Sequence, residues 1–263
     1  MAVRQPFALF VAILFAFSVP FWIAGFVWHG FLPKSIPIAL PVSALMTFMP
    51  ALSACAVLHR RGGWTAVGTL LTRTFDLRRI RSAIWLAASL VTMPAVLVAS
   101  FLLMRLFGAR MPDAHIAIAT APAMFAMFFV GAAGEELGWQ GFAFEELETR
   151  YSVLGSALIL GAIWAAWHVI PFFQTGHDWA WVAWQCIVTV FLRVITVWLY
   201  AYGGRSAFVA IVFHAMSNVS MFLFPNFGSH YDPATTTLVL AGVTVIMVAG
   251  SRPGMMKARK AQV

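Results

Sequence analysis

Residues 116–141 read IAIATAPAMFAMFFVGAAGEELGWQG. From Ile116 to Gly134 the stretch carries no charge, and then Glu135 and Glu136 stand side by side. An uncharged apolar run of about twenty residues, rising about 1.5 Å per residue, is what a helix needs to cross a hydrocarbon core of about 30 Å. The same pattern recurs along the chain. Eight apolar runs cover approximately 7–28, 37–58, 83–104, 116–144, 153–173, 179–202, 207–224 and 235–250, the last two short. Lipid offers no partner for backbone N–H and C=O groups, so each run is expected to be helical. The predicted fold is an all-α polytopic membrane protein of about eight transmembrane helices, with its polar site between spans four, five and seven.

Composition agrees. Of 263 residues 62% are apolar and only 10% charged, with a mean hydropathy of +0.87. Soluble chains carry about a quarter charged residues, so a soluble enzyme, a disordered chain and a disulfide-stapled secreted domain are excluded. Cys55 and Cys186 sit inside apolar runs and read as small hydrophobes. No repeat or linker divides the chain, so residues 1–263 are taken as one integral membrane domain. The first run is too long for a signal segment and reads as a retained span.

The net charge of +8 comes from basic residues in short loops beside the spans. This is the signature of membrane topology, not of nucleic-acid binding. With eight spans, one side holds Arg4, Arg60, Arg61, Arg73, Arg78, Arg79, Arg81, Arg150, Arg205, Arg252, Lys257, Arg259 and Lys260. The other holds only Lys34, Arg105 and Arg110, and Arg193 lies within a span. The positive-inside rule then places both termini in the cytoplasm, in a multi-pass protein of a bacterial plasma membrane. In the loop from Arg60 to Ser82, Trp64, Val67, Leu70 and Leu71 have helical spacing. They fit a short interfacial helix or a solvated basic loop equally well.

Nine acidic residues and seven histidines must be placed in this apolar chain. Glu145, Glu146 and Glu148, with Arg150, read as a solvated tip, and His29, His59, His115, His177 and His230 fall in loops or at span ends. Glu135, Glu136, His168 and His214 do not. An ionisable group inside a membrane is costly unless paired or hydrated, so its presence argues for function. Spans four and five form an antiparallel hairpin, and a turn near Tyr151 and Ser152 sets Glu135 and His168 at one height. His214, nine residues into span seven from Arg205, reaches a similar depth, and Asn218 follows one turn on. Gly131, Ala132, Ala133, Gly134, Gly138 and Gly141 strip span four of bulk, which suits both close helix approach and a polar cavity.

These residues carry a pattern that resembles the CPBP family, the CAAX-protease and bacteriocin-processing (Abi) group of intramembrane endopeptidases. The family carries Glu-Glu-x-x-x-Arg, then aromatic-x-x-x-His, then His-x-x-x-Asn or a similar small polar residue. The matching segments are Glu135-Glu136-Leu-Gly-Trp-Gln140, Trp164-Ala-Ala-Trp-His168 and His214-Ala-Met-Ser-Asn218. The resemblance covers about residues 60–225. Gln140 departs from it, standing where the family has Arg. Either Glu136 titrates higher, or another cation substitutes, or activity is lost.

The resemblance implies hydrolysis of a peptide bond in a prenylated or membrane-embedded substrate approaching from the cytoplasmic side. Glu135 would activate the water and His168 help to position it. His214 and Asn218 would stabilise the oxyanion, and Glu136 would orient the site, with the roles of the two glutamates exchangeable because sequence does not choose between neighbours. A metal-free reaction is favoured. An intramembrane metalloprotease with zinc on Glu135, His168 and His214 is the alternative. A second class also stands: a catalytically degenerate scaffold or immunity protein, or a small-solute transporter.

Overall fold

The computed structural model describes residues 5–28 and 40–251. Arg4, His29, Lys34, the first residues of the second predicted span and the basic C-terminus lie outside them. Nine α-helices are described: α1 (Pro6–Val27), α2 (Met49–Leu71), α3 (Ala83–Leu106), α4 (Ala121–Gly138), the single turn α5 (Glu145–Glu148), α6 (Val153–Gln174), α7 (Trp179–Tyr202), α8 (Ala207–Leu223) and α9 (Pro233–Ala249). Among the described residues there is no strand. The chain is an integral, multi-pass membrane protein. Six helical stretches are long and apolar enough to span by length and composition. The remaining two, α8 and α9, have 17 residues each, about 25 Å of helix.

Local chemistry sets the helix ends. Ser152, Asp178, Ser206 and Asp232 each accept a hydrogen bond at an N-cap, satisfying donors that the first turn leaves free. Asp76 adds a second cap to α8. Its carboxylate accepts from Ser206 Oγ at 2.6 Å and from the Ala207 and Phe208 amides at 3.1 Å each. Asp76 thus ties the loop after α2 to the start of α8.

Helix α2 breaks at Gly62–Gly63, where Gly63 has φ +63°, and resumes as far as Leu71. The predicted short helix therefore exists, but it is not simply interfacial. Trp64 and Leu71 are exposed, whereas Val67 and Leu70 are buried in the bundle. Helix α4 passes into a π-helical turn, Trp139–Phe144, before α5. Such turns often mark functional positions.

The small residues of α4 are close-approach sites. A methyl group on Gly138 would lie 2.3 Å from the Pro50 carbonyl carbon, and one on Gly134 2.8 Å from the Thr47 carbonyl oxygen. The N-terminal part of α2 and the turn before it are therefore pressed onto α4 at the level of the glutamates.

One end of the bundle is basic and tightly stitched. Arg61 pairs with Glu146. Arg205 pairs with Glu145 at 2.8 Å and Glu148 at 2.5 Å. Arg73 donates to the Gly141 carbonyl at 3.1 Å, to the Arg205 carbonyl at 3.0 Å and to the Tyr200 hydroxyl. The acidic tip is thus not simply solvated, and Glu148 is buried. Burial alone would lower the pKa of Arg205, but its bonds to Glu148 and Glu145 outweigh that and raise it, so the guanidinium stays charged. Cys55 and Cys186 are both free thiols.

Candidate active site

Four helices and one turn bring the polar residues together. Glu135 and Glu136 come from α4, Trp164 and His168 from α6, Arg193 from α7, and His214 and Asn218 from α8, with Thr47 from the turn before α2. A cavity of about 890 Å³ is lined by Glu135, Trp164, His168, His214 and Asn218. Glu135, His168 and His214, expected at one depth, all line this cavity, and Ser152 starts α6 at the predicted turn.

The two glutamates divide. Glu135 faces the cavity. Its Oε2 accepts from Trp164 Nε1 at 2.7 Å, and its Oε1 lies 3.1 Å from Thr47 Oγ1. Glu136 is fully buried and belongs to a charge cluster. Its Oε2 accepts from Arg193 Nη1 at 2.7 Å, and its Oε1 pairs with His214 Nδ1 at 2.8 Å. A carboxylate has acceptors only, so against ionised Glu136 the His214 Nδ1 carries a proton.

Glu135 and His168 share no hydrogen bond. His168 Nδ1 instead lies 3.0 Å from the carbonyl of Trp164, one turn earlier in α6. A carbonyl only accepts, so this nitrogen also carries a proton, and a neutral His168 presents Nε2 as an acceptor. Trp164 is the hub that sequence reading passed over as a motif aromatic. It bonds Glu135 and packs its ring 5.4 Å from His168 and 5.3 Å from His214. Its face also lies 4.1 Å from the Arg193 guanidinium carbon, a desolvated cation–π contact worth about 2 kcal/mol.

Arg193 answers the question raised by Gln140. Both amide atoms of Gln140 are buried without a partner among the described residues, and Gln140 makes no bond to Glu136. The cation beside Glu136 comes from α7 instead. Sequence reading left Arg193 out of the site, although a lone arginine within an apolar span is a signal that could have found it. Thr47 left no such signal, since a hydroxyl in a membrane helix commonly bonds its own backbone.

Glu136 holds the Nδ1 of His214 and the Trp164 carbonyl that of His168, which leaves both Nε2 atoms free, so these bonds do not themselves exclude the alternative zinc set. Among the described residues no group of three His, Cys, Asp or Glu side chains is arranged to hold a metal ion. The intramembrane metalloprotease expectation is therefore unsupported, and no step is derived through a metal.

Comparison with known proteins agrees with the motifs. Residues 117–220 match the family model described as type II CAAX prenyl endopeptidase Rce1-like. The chain is also 26% identical over 164 residues to CAAX prenyl protease 2 of Methanococcus maripaludis, across 57% of this chain and 60% of that protein. The matched segment contains both glutamates, Trp164, His168, Arg193, His214 and Asn218. Over this segment the chain is similar to type II CAAX prenyl endopeptidases, and it spans less than two thirds of the length of the relative it matches.

Proposed function

We propose that this protein is an intramembrane endopeptidase that uses Glu135 to activate water against a peptide bond in a lipidated or membrane-embedded substrate. The observation that carries this reading is the division of labour between the neighbouring glutamates. Glu136 is occupied by Arg193 and His214, while Glu135 is held at the cavity wall by Trp164 and Thr47. A buried carboxylate on a cavity wall is suited to general-base work.

In the first step Glu135 takes a proton from water as the water oxygen bonds to the scissile carbonyl carbon. The Nε2 of neutral His168 accepts a hydrogen bond from the other water O–H, which stays intact, and fixes the direction of attack. The carbonyl oxygen becomes an oxyanion. Asn218 donates to it through its amide, and His214 through Nε2–H. Because ionised Glu136 already takes the Nδ1 proton, His214 can donate from Nε2 only as an imidazolium. Collapse of the tetrahedral species breaks the C–N bond, and Glu135 returns its proton to the leaving amine.

A second reading, a non-catalytic peptide-binding member, draws on the unpartnered Gln140. Cleavage of a labelled prenylated or transmembrane peptide by wild type and Glu135→Ala separates the two. Turnover by wild type and none by the variant is expected. Equal turnover in both removes Glu135 as the base, and binding without turnover in wild type favours the second reading. By its basic loops, the protein is further proposed to keep both termini in the cytoplasm.

A further inference from the structure

The cavity that holds Glu135 runs on past the polar cluster. Its lining continues along α6 to Phe172, along α7 from Thr189 back to Gln185 and Trp181, and to Tyr231 just before α9. Gln185 stands eight residues before Arg193 in α7, about 12 Å along the helix axis.

Two kinds of surface line this extension. The first is aromatic and continuous with the site. The His168 ring lies 5.5 Å from that of Phe172, Phe172 lies 5.9 Å from Trp181, and Trp181 lies 6.2 Å from Tyr231. The second is the face of α7 formed by Gln185, Thr189, Leu192 and Thr196, which recur at helical spacing. Thr189 Oγ1 donates to the Gln185 carbonyl at 2.8 Å, and Thr196 Oγ1 to the Leu192 carbonyl at 2.7 Å. Each hydroxyl commits its proton to its own helix and keeps its lone pairs for accepting.

Gln185 adds the donor that the threonines lack. The residue is only 5% exposed, and its Oε1 accepts from the Tyr231 hydroxyl at 2.7 Å. Its Nε2 has no hydrogen-bond partner among the described residues and is not sealed from the cavity that Gln185 lines. A donor without an acceptor in so buried a place is costly, and a ligand group that matches it removes that cost. The wall thus offers acceptors and a donor in line, beside aromatic rings. An extended polypeptide needs such a wall inside a membrane, where its N–H and C=O groups find little water. A hydrocarbon chain has no use for it.

We infer that Gln185 is a specificity-determining residue, whose Nε2 donates to a main-chain carbonyl of the substrate while the neighbouring substrate side chain, an apolar one, packs on Phe172 and Trp181. An extended chain advances about 3.3 Å per residue, so this carbonyl lies about four residues from the scissile bond. The inference rests on the protease reading of the cavity.

The test uses the full chain in detergent, a long labelled transmembrane peptide, and forms of it shortened from one end or the other so as to stop short of Gln185. Wild type is expected to prefer the long peptide over one of the two shortened forms. Gln185→Met keeps the length of the side chain and removes the donor. It should shrink that preference by about two- to tenfold, the worth of one hydrogen bond, and do so in KM with kcat little changed. A preference that Gln185→Met leaves unchanged or increases overturns the inference, and an increase marks the wall as a hydrocarbon site. If Gln185→Met does not accumulate, Gln185→Met with Tyr231→Phe serves, because it leaves no hydroxyl without its acceptor. Binding of the same peptides is measured in the Glu135→Gln background, where it requires no turnover. Preference lost on Gln185→Met, with no cleavage by the parent chain, overturns the protease reading alone. Cleavage by the parent chain, with the preference intact in Gln185→Met, overturns the role of Gln185 alone.

Discussion

Arg193 donates to Glu136 across 2.7 Å, from α7 to α4, with both side chains fully excluded from solvent. The pair puts a cation beside the second glutamate although the first motif ends in Gln140. Removing one partner of a buried pair leaves a charge with no compensation, at a cost of about 3–5 kcal/mol. Arg193→Met is expected to lower the thermal midpoint sharply in detergent and to abolish peptide cleavage. Gln140→Arg combined with Arg193→Gln returns the charge to the motif position. Recovery of cleavage in the double variant, read against each single variant, would identify the cation rather than its helix as the requirement. No recovery would mean that the α7 geometry itself is needed.

Trp164 holds the other glutamate, and it makes chemistry and stability separable. Glu135→Gln keeps an oxygen able to accept from the indole and a shape close to the original, so folding should survive. Loss of a general base lowers turnover by about 10²–10⁴-fold. Trp164→Phe keeps the ring but removes the 2.7 Å donor. A lost hydrogen bond to a charged group costs about 1.5–3 kcal/mol. Thermal unfolding and single-turnover cleavage of both variants check this. Glu135→Gln should be stable and inactive, and Trp164→Phe should lose both properties in part.

Gln140 gives a prediction of opposite sign. Its amide is fully buried and neither polar atom has a partner among the described residues. An unmatched buried polar group costs about 1–3 kcal/mol, while an apolar side chain of the same shape avoids that cost. Gln140→Met should therefore be neutral or stabilising by thermal unfolding, and should leave cleavage intact. Loss of cleavage with stability retained would show that the amide acts on substrate.

The sequence was legible where membrane physics leaves few choices. Apolar run length fixed the helices, because lipid forbids other backbone arrangements, and the rarity of intramembrane charge singled out Glu135, Glu136, His168 and His214. The approach of Trp164 on α6 to Glu135 on α4 agrees with the expected antiparallel hairpin, but α4 packs chiefly on α2 and α8 and α6 on α7, so the two helices of that hairpin do not pack directly on one another. What escaped was pairing. That His168 would bond the Trp164 carbonyl and not Glu135 depends on rotamers, which residue spacing does not set. Thr47 reaches Gly131 and Glu135 only because a 3₁₀ turn precedes α2, where the apolar pattern suggested a plain span. The stitched acidic tip also escaped, since three glutamates beside an arginine look solvated until their partners arrive from α2 and from the loop before α8.

Gly138 tests how tightly α2 must press on α4 for the site to exist. It stands two residues after Glu136, and an added Cβ would fall 2.3 Å from the Pro50 carbonyl carbon and 2.4 Å from its oxygen. Those are backbone atoms, and no side-chain rotation relieves the clash. Overpacking of this kind costs about 1–3 kcal/mol where the backbone yields. Here the yielding segment carries Thr47, so separation of the helices also draws a hydrogen bond away from Glu135. Gly138→Ala should lower both the thermal midpoint and the cleavage rate. Gly68→Ala, at a position with open space around it, should change neither. Equal behaviour of the two variants would mean that close approach at Gly138 is not what positions the glutamates.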